Sequence, residues 1–452
     1  MKLKNFLLTI GLIVFSLVLA ACGNTDDNEE AETPTDNGET ETEEVTLKVA
    51  ALESAYGAEM WEKIKEAYEE LNENVTVELT VEKNLEEVVR PNLQAGEYPD
   101  VFLLATGREE GLTDTLIKEN GLEEITDVFG MTVAGEDVTV EEKLLDGFTD
   151  TLATNPYADG KTYLAPMFYS PTGLFYDANL LEEKGWDTPA TWDEMFALGD
   201  KAKDEDISLF TYPVAGYFDS LIPSLMYAAG GPDFYNSAMT YEDGIWETEE
   251  AKQVLKTIAN LGDYTHPNTV ANANPNDFTK NQQMILDNEA LFMPNGTWVV
   301  GEMSEAPRAE GFDWGMMPAP AFSEGGDRYA FTFFEQMWIP KAAENKDAAK
   351  EFLTFMYSDK AASIFLEAGA VQPINGITDQ LEGNKKLFYS IYDEQGALPA
   401  MGGFASTEPV PGVNMHDSLY KSIDGVISGQ VSLEEWQSNI EETSDKLRDA
   451  MN

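Results

Sequence analysis

The chain has 452 residues, of which 83 are acidic and 28 basic, for a formal net charge of −55 at pH 7. A field of that sign disfavours nucleic acid and anionic lipid as partners. The single cysteine, Cys22, and the two histidines, His266 and His416, exclude an internal disulfide, a thiolate metal cluster and Cys–His catalysis.

In chain order, residues 1–21 read as a secretory leader. Lys2 and Lys4 precede an apolar run from Phe6 to Leu19, and the small residues Ala20 and Ala21 precede Cys22. The apolar run is too short to cross a bilayer. Leu19, Ala20, Ala21 and Cys22 together resemble the lipobox of bacterial lipoproteins, which implies a diacylglyceryl thioether on Cys22 and anchorage of the chain to the outer face of the cell membrane. Residues 22–44 follow as a tether. From Asp26 to Glu44 there are ten acidic residues, no basic one and no aromatic, a composition that cannot bury enough apolar surface to fold and that self-repulsion extends.

Folded structure is expected from Val45. Val45, Leu47 and Val49 alternate with Thr46 and Lys48 as a strand; Trp61, Ile64, Tyr68 and Leu71 recur at helical spacing; Val75, Val77, Leu79 and Val81 alternate again. After another helix, the apolar run Pro99–Ala105 ("PDVFLLA") predicts a strand buried on both faces, and strand, helix, strand, helix, strand predicts a parallel α/β sheet. Thr191 with Glu194 and Ser432 with Glu435 fit the capping signature Ser/Thr-x-x-Glu. The helix from about Asp347 should bury Ala349, Phe352, Leu353 and Met356, and the last helix Trp436, Ile440 and Leu447.

The chain contains no Gly-x-Ser-x-Gly elbow, Gly-x-Gly-x-x-Gly loop, Walker loop or His-Glu-x-x-His pair. With 83 acids, paired carboxylates carry no information. Nothing in the residues argues for an enzyme, a cofactor or a bound metal.

Four stretches carry a resemblance. Gly96–Gly111 ("GEYPDVFLLATGREEG"), Ala158–Met195 ("ADGKTYLAPMFYSPTGLFYDANLLEEKGWDTPATWDEM"), Asn288–Val300 ("NEALFMPNGTWVV") and Met337–Met356 ("MWIPKAAENKDAAKEFLTFM") stand in the order and spacing of family 1 extracellular solute-binding proteins, which serve carbohydrate ABC importers and include the maltodextrin-binding proteins. The resemblance implies a type II periplasmic-binding-protein fold, α/β, with two lobes of mixed sheet joined by three hinge crossovers and the ligand between them. By that pattern the crossovers fall near Pro166, near Tyr329 and at Val371 to Pro373. Residues 45–166 and 329–371 would form lobe I, and 167–328 and 372–452 lobe II.

A neutral sugar needs aromatic plates for its ring faces and planar polar groups for its hydroxyls. Trp298 matches the tryptophan of the family's Gly-x-Trp-like loop, although a Trp after an apolar strand is by default core. Thr106, Gly107 and Arg108 follow a buried strand at its carboxyl end, where open α/β sheets place ligands. Arg108 matches a polar contact of the maltodextrin-binding relatives, whereas Gly107 stands where they carry an acid, which implies a different sugar. Phe334, Glu335 and Gln336 lie in "FFEQMW", with polar groups inside an apolar strand that either a ligand or the fold itself must satisfy. Tyr169 and Ser170 occupy a predicted crossover. Tyr217, Asp219, His416, Asp417, Glu53 and Tyr56 complete the candidate set. The resulting expectation is a lipid-tethered monomer outside the cytoplasm that delivers a neutral oligosaccharide or amino sugar to the membrane subunits of an ABC permease. A receptor for a quaternary ammonium on the same fold, a surface glycan-active enzyme and an adhesin remain as alternatives.

Overall fold

The computed structural model describes residues 44–54, 56–108, 110–149, 151–405 and 407–451. The leader 1–21, Cys22 and the tether short of Glu44 lie outside the described residues. Nine strands are formed among them: β1 Val45–Leu52, β2 Val75–Glu82, β3 Val101–Leu103, β4 Ala165–Asp177, β5 Ser208–Phe210, β6 Ala290–Gly296, β7 Trp314–Met317, β8 Tyr329–Trp338 and β9 Leu398–Ala400.

β1 lies between β2 and β3 and runs parallel to both, with Val45 opposite Val75 and Val49 opposite Val101. The helix Glu59–Leu71 connects the first two strands, burying Met60, Trp61, Ile64 and Tyr68. Leu71, expected on that face, is 50% exposed at the frayed end. β3 is shorter than the apolar run that encodes it. Leu104 leaves the ladder yet stays buried, because its N–H donates to the Gln336 carbonyl at 3.1 Å. The parallel arrangement expected of the first strand–helix–strand–helix–strand run is formed by β1 to β3, and β5 with β6 and β8 with β9 are also parallel pairs. β8 pairs antiparallel with β3, β4 antiparallel with β8, and β6 and β7 antiparallel with β4, so the sheet is mixed.

The two long strands have a double role. The first half of β4 pairs with β8, from Ala165 opposite Met337 to Pro171 opposite Thr332; its second half pairs with β6 and β7, from Thr172 opposite Gly296 to Asp177 opposite Trp314. β8 likewise meets β3 at Met337 and Trp338 and β9 at Tyr329 to Phe331. The hydrophobic interior divides at the same point. One core gathers Leu47, Trp61, Tyr68, Phe168, Tyr169, Phe352 and Phe365. The other gathers Leu174, Trp192, Phe210, Tyr212, Phe218, Trp246, Phe331 and Trp436. Each buried Leu or Phe among them contributes roughly 1.5–3 kcal/mol. Because β4 and β8 run unbroken between the cores, Glu44–Asn452 stays one compact unit. Beyond Leu381, packed with the first core, the chain borders both sides: Phe388 packs on Phe175 beside the second core, while Tyr389 and Met401 return to the first.

Both capping signatures are realised: the Glu194 N–H donates to Thr191 Oγ1 at 3.2 Å with the reciprocal bond at 3.3 Å, and the Glu435 N–H donates to Ser432 Oγ at 3.1 Å. The helices Lys346–Met356 and Leu433–Asp449 bury the expected faces.

Candidate functional site

β6 is buried along its length, and its last residues, Asn295 and Gly296, deliver Thr297 and Trp298 to the surface between the two cores. Gly296 makes this possible. A Cβ there would stand 2.0 Å from Cζ3 of Trp298, so only a glycine lets the indole lie across the strand end. Trp298 is 37% exposed. Its Nε1–H donates to the Tyr217 hydroxyl at 3.4 Å, and its ring lies 6.4 Å from that of Tyr217 and 5.9 Å from that of Phe333. Tyr217 ends the short turn Ala215–Tyr217 that enters the helix Phe218–Met239. Phe333 is 42% exposed and sits in the middle of β8. Three partly exposed rings thus form one wall.

Beside the wall lies a group of hydroxyls. Ser170 Oγ and Thr297 Oγ1 are 3.0 Å apart, and the Tyr389 hydroxyl, pushed up to about 12 by burial, adjoins both. Side chains alternate along β8, so Phe333 and Glu335 share a face while Phe334 and Gln336 share the opposite one. The Glu335 carboxyl is pushed up to about 7 by burial, partly offset by the Arg108 guanidinium. Tyr56 neighbours both Glu335 and Tyr389, its hydroxyl raised by burial and by those two groups, and its ring packs on Phe168 at 5.4 Å. Ser170, Thr297, Trp298, Tyr217, Phe333, Tyr389, Tyr56 and Glu335 therefore form a chain of neighbours across the division between the cores, and the Arg108 guanidinium acts on Glu335 only electrostatically.

The remaining candidates separate from this group for identifiable reasons. Arg108 Nε donates to Glu86 at 3.0 Å, and Glu86, 2% exposed, also accepts from the Leu112 N–H at 3.1 Å. Gln336 is satisfied inside the fold: its Oε1 accepts from the Thr106 N–H at 3.3 Å, and its Nε2 lies 3.4 Å from Thr106 Oγ1 and 3.3 Å from the Ala153 carbonyl. Gly107 is exposed with φ +71°, and its N–H donates to Asp114 at 2.9 Å. Tyr169, expected beside Ser170 as a contact, is 1% exposed and packs against Phe148, Tyr389 and Tyr392. Strand alternation turns it into the first core while Ser170 faces the hydroxyl group. Phe334, opposite Tyr169 in the ladder, packs on that same core. Glu53 pairs with Lys83 at 3.7 Å.

A second acid flanks Tyr217. Asp219 is pushed up to about 7 by burial, with the Ser220 N–H offsetting it. The buried Tyr420 hydroxyl feels its charge, and His416 stacks edge-on to Tyr420 at 4.7 Å. Burial holds His416 below its usual range, Asp417 opposing and Lys421 adding to that effect, and Asp417 pairs with Lys421 at 2.8 Å. Phe333, Thr297 and Tyr389 were not among the candidates. Thr297 stood in the quoted "NGTW" and Phe333 in "FFEQMW", but Tyr389 lies in "LFYSIYDEQG", which shows no pattern that singles it out.

Among the described residues no helix is long and apolar enough to cross a membrane, and no group of three His, Cys, Asp or Glu side chains is placed to hold a metal. Half-exposed rings beside hydroxyls and a carboxylate suit a ligand with flat weakly polar faces and many hydroxyl donors.

The sequence profile of bacterial extracellular solute-binding proteins matches residues 63–377. The chain is 25% identical over 329 residues to the diacetylchitobiose binding protein NgcE of Streptomyces coelicolor, covering 71% of this chain and 67% of that protein. It is 23% identical over 302 residues to the maltotriose-binding protein of Pyrococcus abyssi, covering 65% of this chain and 58% of that one. The matched region thus spans about three-fifths to two-thirds of the length of these relatives. The crystal structure of the bacterial solute receptor AcbH, described as preferring β-D-galactopyranose, superposes with a TM-score of 0.66 at 18% identity, covering 89% of this chain and 99% of that one, which establishes a shared fold.

Proposed function

The chain belongs to the bacterial extracellular solute-binding proteins, and on that premise we propose that it captures a neutral carbohydrate between two lobes and delivers it to an ABC-type permease. The observation that carries this reading is the wall of Trp298, Tyr217 and Phe333 next to Ser170, Thr297, Tyr389 and Glu335. Stacking on two or three rings with several hydroxyl hydrogen bonds suffices for micromolar binding, about 8 kcal/mol, after entropy losses. The relatives named for diacetylchitobiose and maltotriose favour an oligosaccharide over a quaternary ammonium.

In this proposal the lobes are the segments that share each core. The first is residues 45–166 with 329–371 and the second 167–328 with 372–452, with exchanges at the borders: Met167, Phe168, Tyr169, Ile374, Ile377, Leu381, Tyr389 and Met401 pack with the first core, and Tyr329 and Phe331 with the second. Closure bends β4 and β8 near Ser170 and Phe333, bringing Arg108 and Tyr56 of one lobe toward Trp298 and Tyr217 of the other. Cys22 is the lipidated residue, the acidic tether sets the distance from the membrane, and the receptor acts as a monomer without catalysis.

A melting-shift panel of mono- and oligosaccharides, with glycine betaine as the cationic comparison, tests the reading. At a hundredfold excess over Kd the bound saccharide should raise the melting temperature by about 3 °C. A shift with betaine alone, turnover of an oligosaccharide, or a panel without any shift would each retire it.

A further inference from the structure

The helix Phe278–Leu286, which precedes β6, contributes no ring to the aromatic wall, yet two adjacent amides on it, Asn281 and Gln282, are fully buried. Asn281 Nδ2 donates to the carbonyls of Tyr212 and Thr269 at 2.9 Å each and to that of Pro213 at 3.3 Å, which pins the helix to the segment leading into the Tyr217 turn. Gln282 Nε2 donates to Glu302 Oε2 at 2.9 Å. Glu302 is exposed and ends the short helix Val299–Glu302, which Trp298 caps, and the Glu302 N–H donates to the Trp298 carbonyl at 3.0 Å. The bond from Gln282 thus closes over β6, joining the helix before the strand to the turn after it. The Tyr217 hydroxyl is raised above its usual range first by burial and further by the charge of Glu302, so this carboxylate stands close to both plates.

The acceptors fix how both amides are turned: with nitrogen toward the carbonyls and the carboxylate, each amide oxygen is left on the inner side. Among the described residues, Asn281 Oδ1 and Gln282 Oε1 take no hydrogen bond. A buried polar atom without a partner destabilises a fold. At 281 three carbonyls need the amide, but at 282 the one partner is an exposed carboxylate that water serves as well, so stability alone would favour an apolar side chain there. We propose that Gln282 is a positioning residue for saccharide binding: by holding Glu302 it fixes the turn that carries Trp298, and with it the spacing of the indole from Tyr217, on a helix that Asn281 anchors. This rests on the receptor reading above and on the place of Trp298 in it, and it assigns a role to a side chain too deeply buried to touch the ligand.

Affinity and stability should separate. Gln282→Met keeps the length of the side chain while removing both the donor and the orphaned oxygen. Glu302 stays hydrated and no new buried group loses a partner, so the unliganded melting temperature should remain within about 2 °C of wild type or rise. A residue with a purely structural role would lose stability and affinity together. The freed turn lets the indole leave its place beside Tyr217, and Kd should rise about five- to tenfold. Because the effect runs through one ring, it should vanish where that ring is absent.

Titration calorimetry on the full chain, with the saccharide that gives the largest melting shift in the panel, measures Kd for the wild type, Gln282→Met, Trp298→Ala and the double variant. Gln282→Met should bind about five- to tenfold more weakly than wild type, and the double variant within about twofold of Trp298→Ala alone. Glu302→Ala, a change at an exposed position, should reproduce the loss seen in Gln282→Met, while Glu302→Gln, which keeps an acceptor oxygen, should hold Kd within about twofold of wild type. Affinity unchanged within about twofold in either Gln282→Met or Glu302→Ala overturns the proposal and leaves the receptor reading standing, and so does a loss of full size in the Trp298→Ala background. Should Gln282→Met fold poorly, Glu302→Ala decides the matter by itself. If no saccharide shifts the melting temperature, the receptor reading fails and this proposal with it.

Discussion

Gly296→Ala isolates the aromatic wall from the rest of the protein. The added methyl would sit 2.0 Å from Cζ3 of Trp298, 2.1 Å from Cη2 and 2.4 Å from Cε3, against a normal carbon contact of about 3.5–4.0 Å. The indole must therefore move by about 1.5 Å. Gly296 is not among the residues with positive φ, so alanine fits the backbone, and the three atoms nearest the added methyl all belong to the ring. Since Trp298 is partly exposed, the ring can swing outward. The folding cost of about 1–2 kcal/mol is then partly offset by the lower entropy of an unfolded chain with alanine, leaving the melting temperature within about 2 °C of wild type. Displacing one stacking plate costs about 1.4 kcal/mol of binding, a tenfold rise in Kd. Calorimetry with the best saccharide measures that rise, and acrylamide quenching of tryptophan fluorescence reports the displaced ring. Gly301→Ala, where a Cβ meets nothing within 4 Å, is the matched control and should change neither. Unchanged affinity in Gly296→Ala, with quenching that shows a displaced ring, would refute the role given to Trp298.

Further outcomes follow from neighbouring groups. Glu86→Ala leaves the Arg108 guanidinium and the Leu112 N–H without their partner, and should lower the melting temperature by about 1–3 °C in a thermal scan, corresponding to roughly 1–3 kcal/mol. Tyr389→Phe removes the hydroxyl beside Ser170 and Thr297 and should cost about 0.5–1.5 kcal/mol in urea unfolding, with the Ser170–Thr297 pair retained. Because the folded-state carboxyl of Glu335 is raised to about 7, its ionisation opposes folding as the pH rises from the unfolded value near 4 through 7. Without ligand, Glu335→Gln should therefore be more stable than wild type at pH 8, by roughly 1–2 kcal/mol after allowance for its partial exposure, and equal to it at pH 4. Urea titrations at the two pH values measure both differences. Trp338→Ala removes a ring stacked on Phe102 at 4.3 Å and the indole N–H bond to the Leu104 carbonyl at 2.9 Å, and should cost about 3–5 kcal/mol in urea unfolding.

What could be read along the chain was whatever local periodicity encodes. The alternation at Val45 to Val49 and Val75 to Val81, the face of Trp61, Ile64 and Tyr68, and the caps at Thr191 and Ser432 all appear as expected. The order of four motifs pointed to the family. What failed to show was which face of β4 turns inward. Nearly every β4 residue is buried, so no period of two distinguishes Tyr169 from Ser170, and the ladder with β8 decides that Tyr169 enters the core. The wall likewise depends on residues far apart in sequence. Phe333 reads as one more apolar strand residue until pairing sets it opposite Ser170 and packing sets Trp298 at 5.9 Å. Tyr389 joins them only because the helix Gly383–Tyr389, far downstream of β8, sets its hydroxyl beside Ser170 and Thr297.

The shared strands impose an order on assembly. Phe102 is synthesised early, but the tryptophan that covers it is Trp338, and β3 has its second neighbour only when β8 arrives. An emerging chain that ends before Trp338 therefore carries an incomplete first sheet with an open edge, whatever the inserted segment has already built. Closing so long an excursion is slow. The arrival of β8 is therefore the event that closes that edge and ties both halves into one sheet.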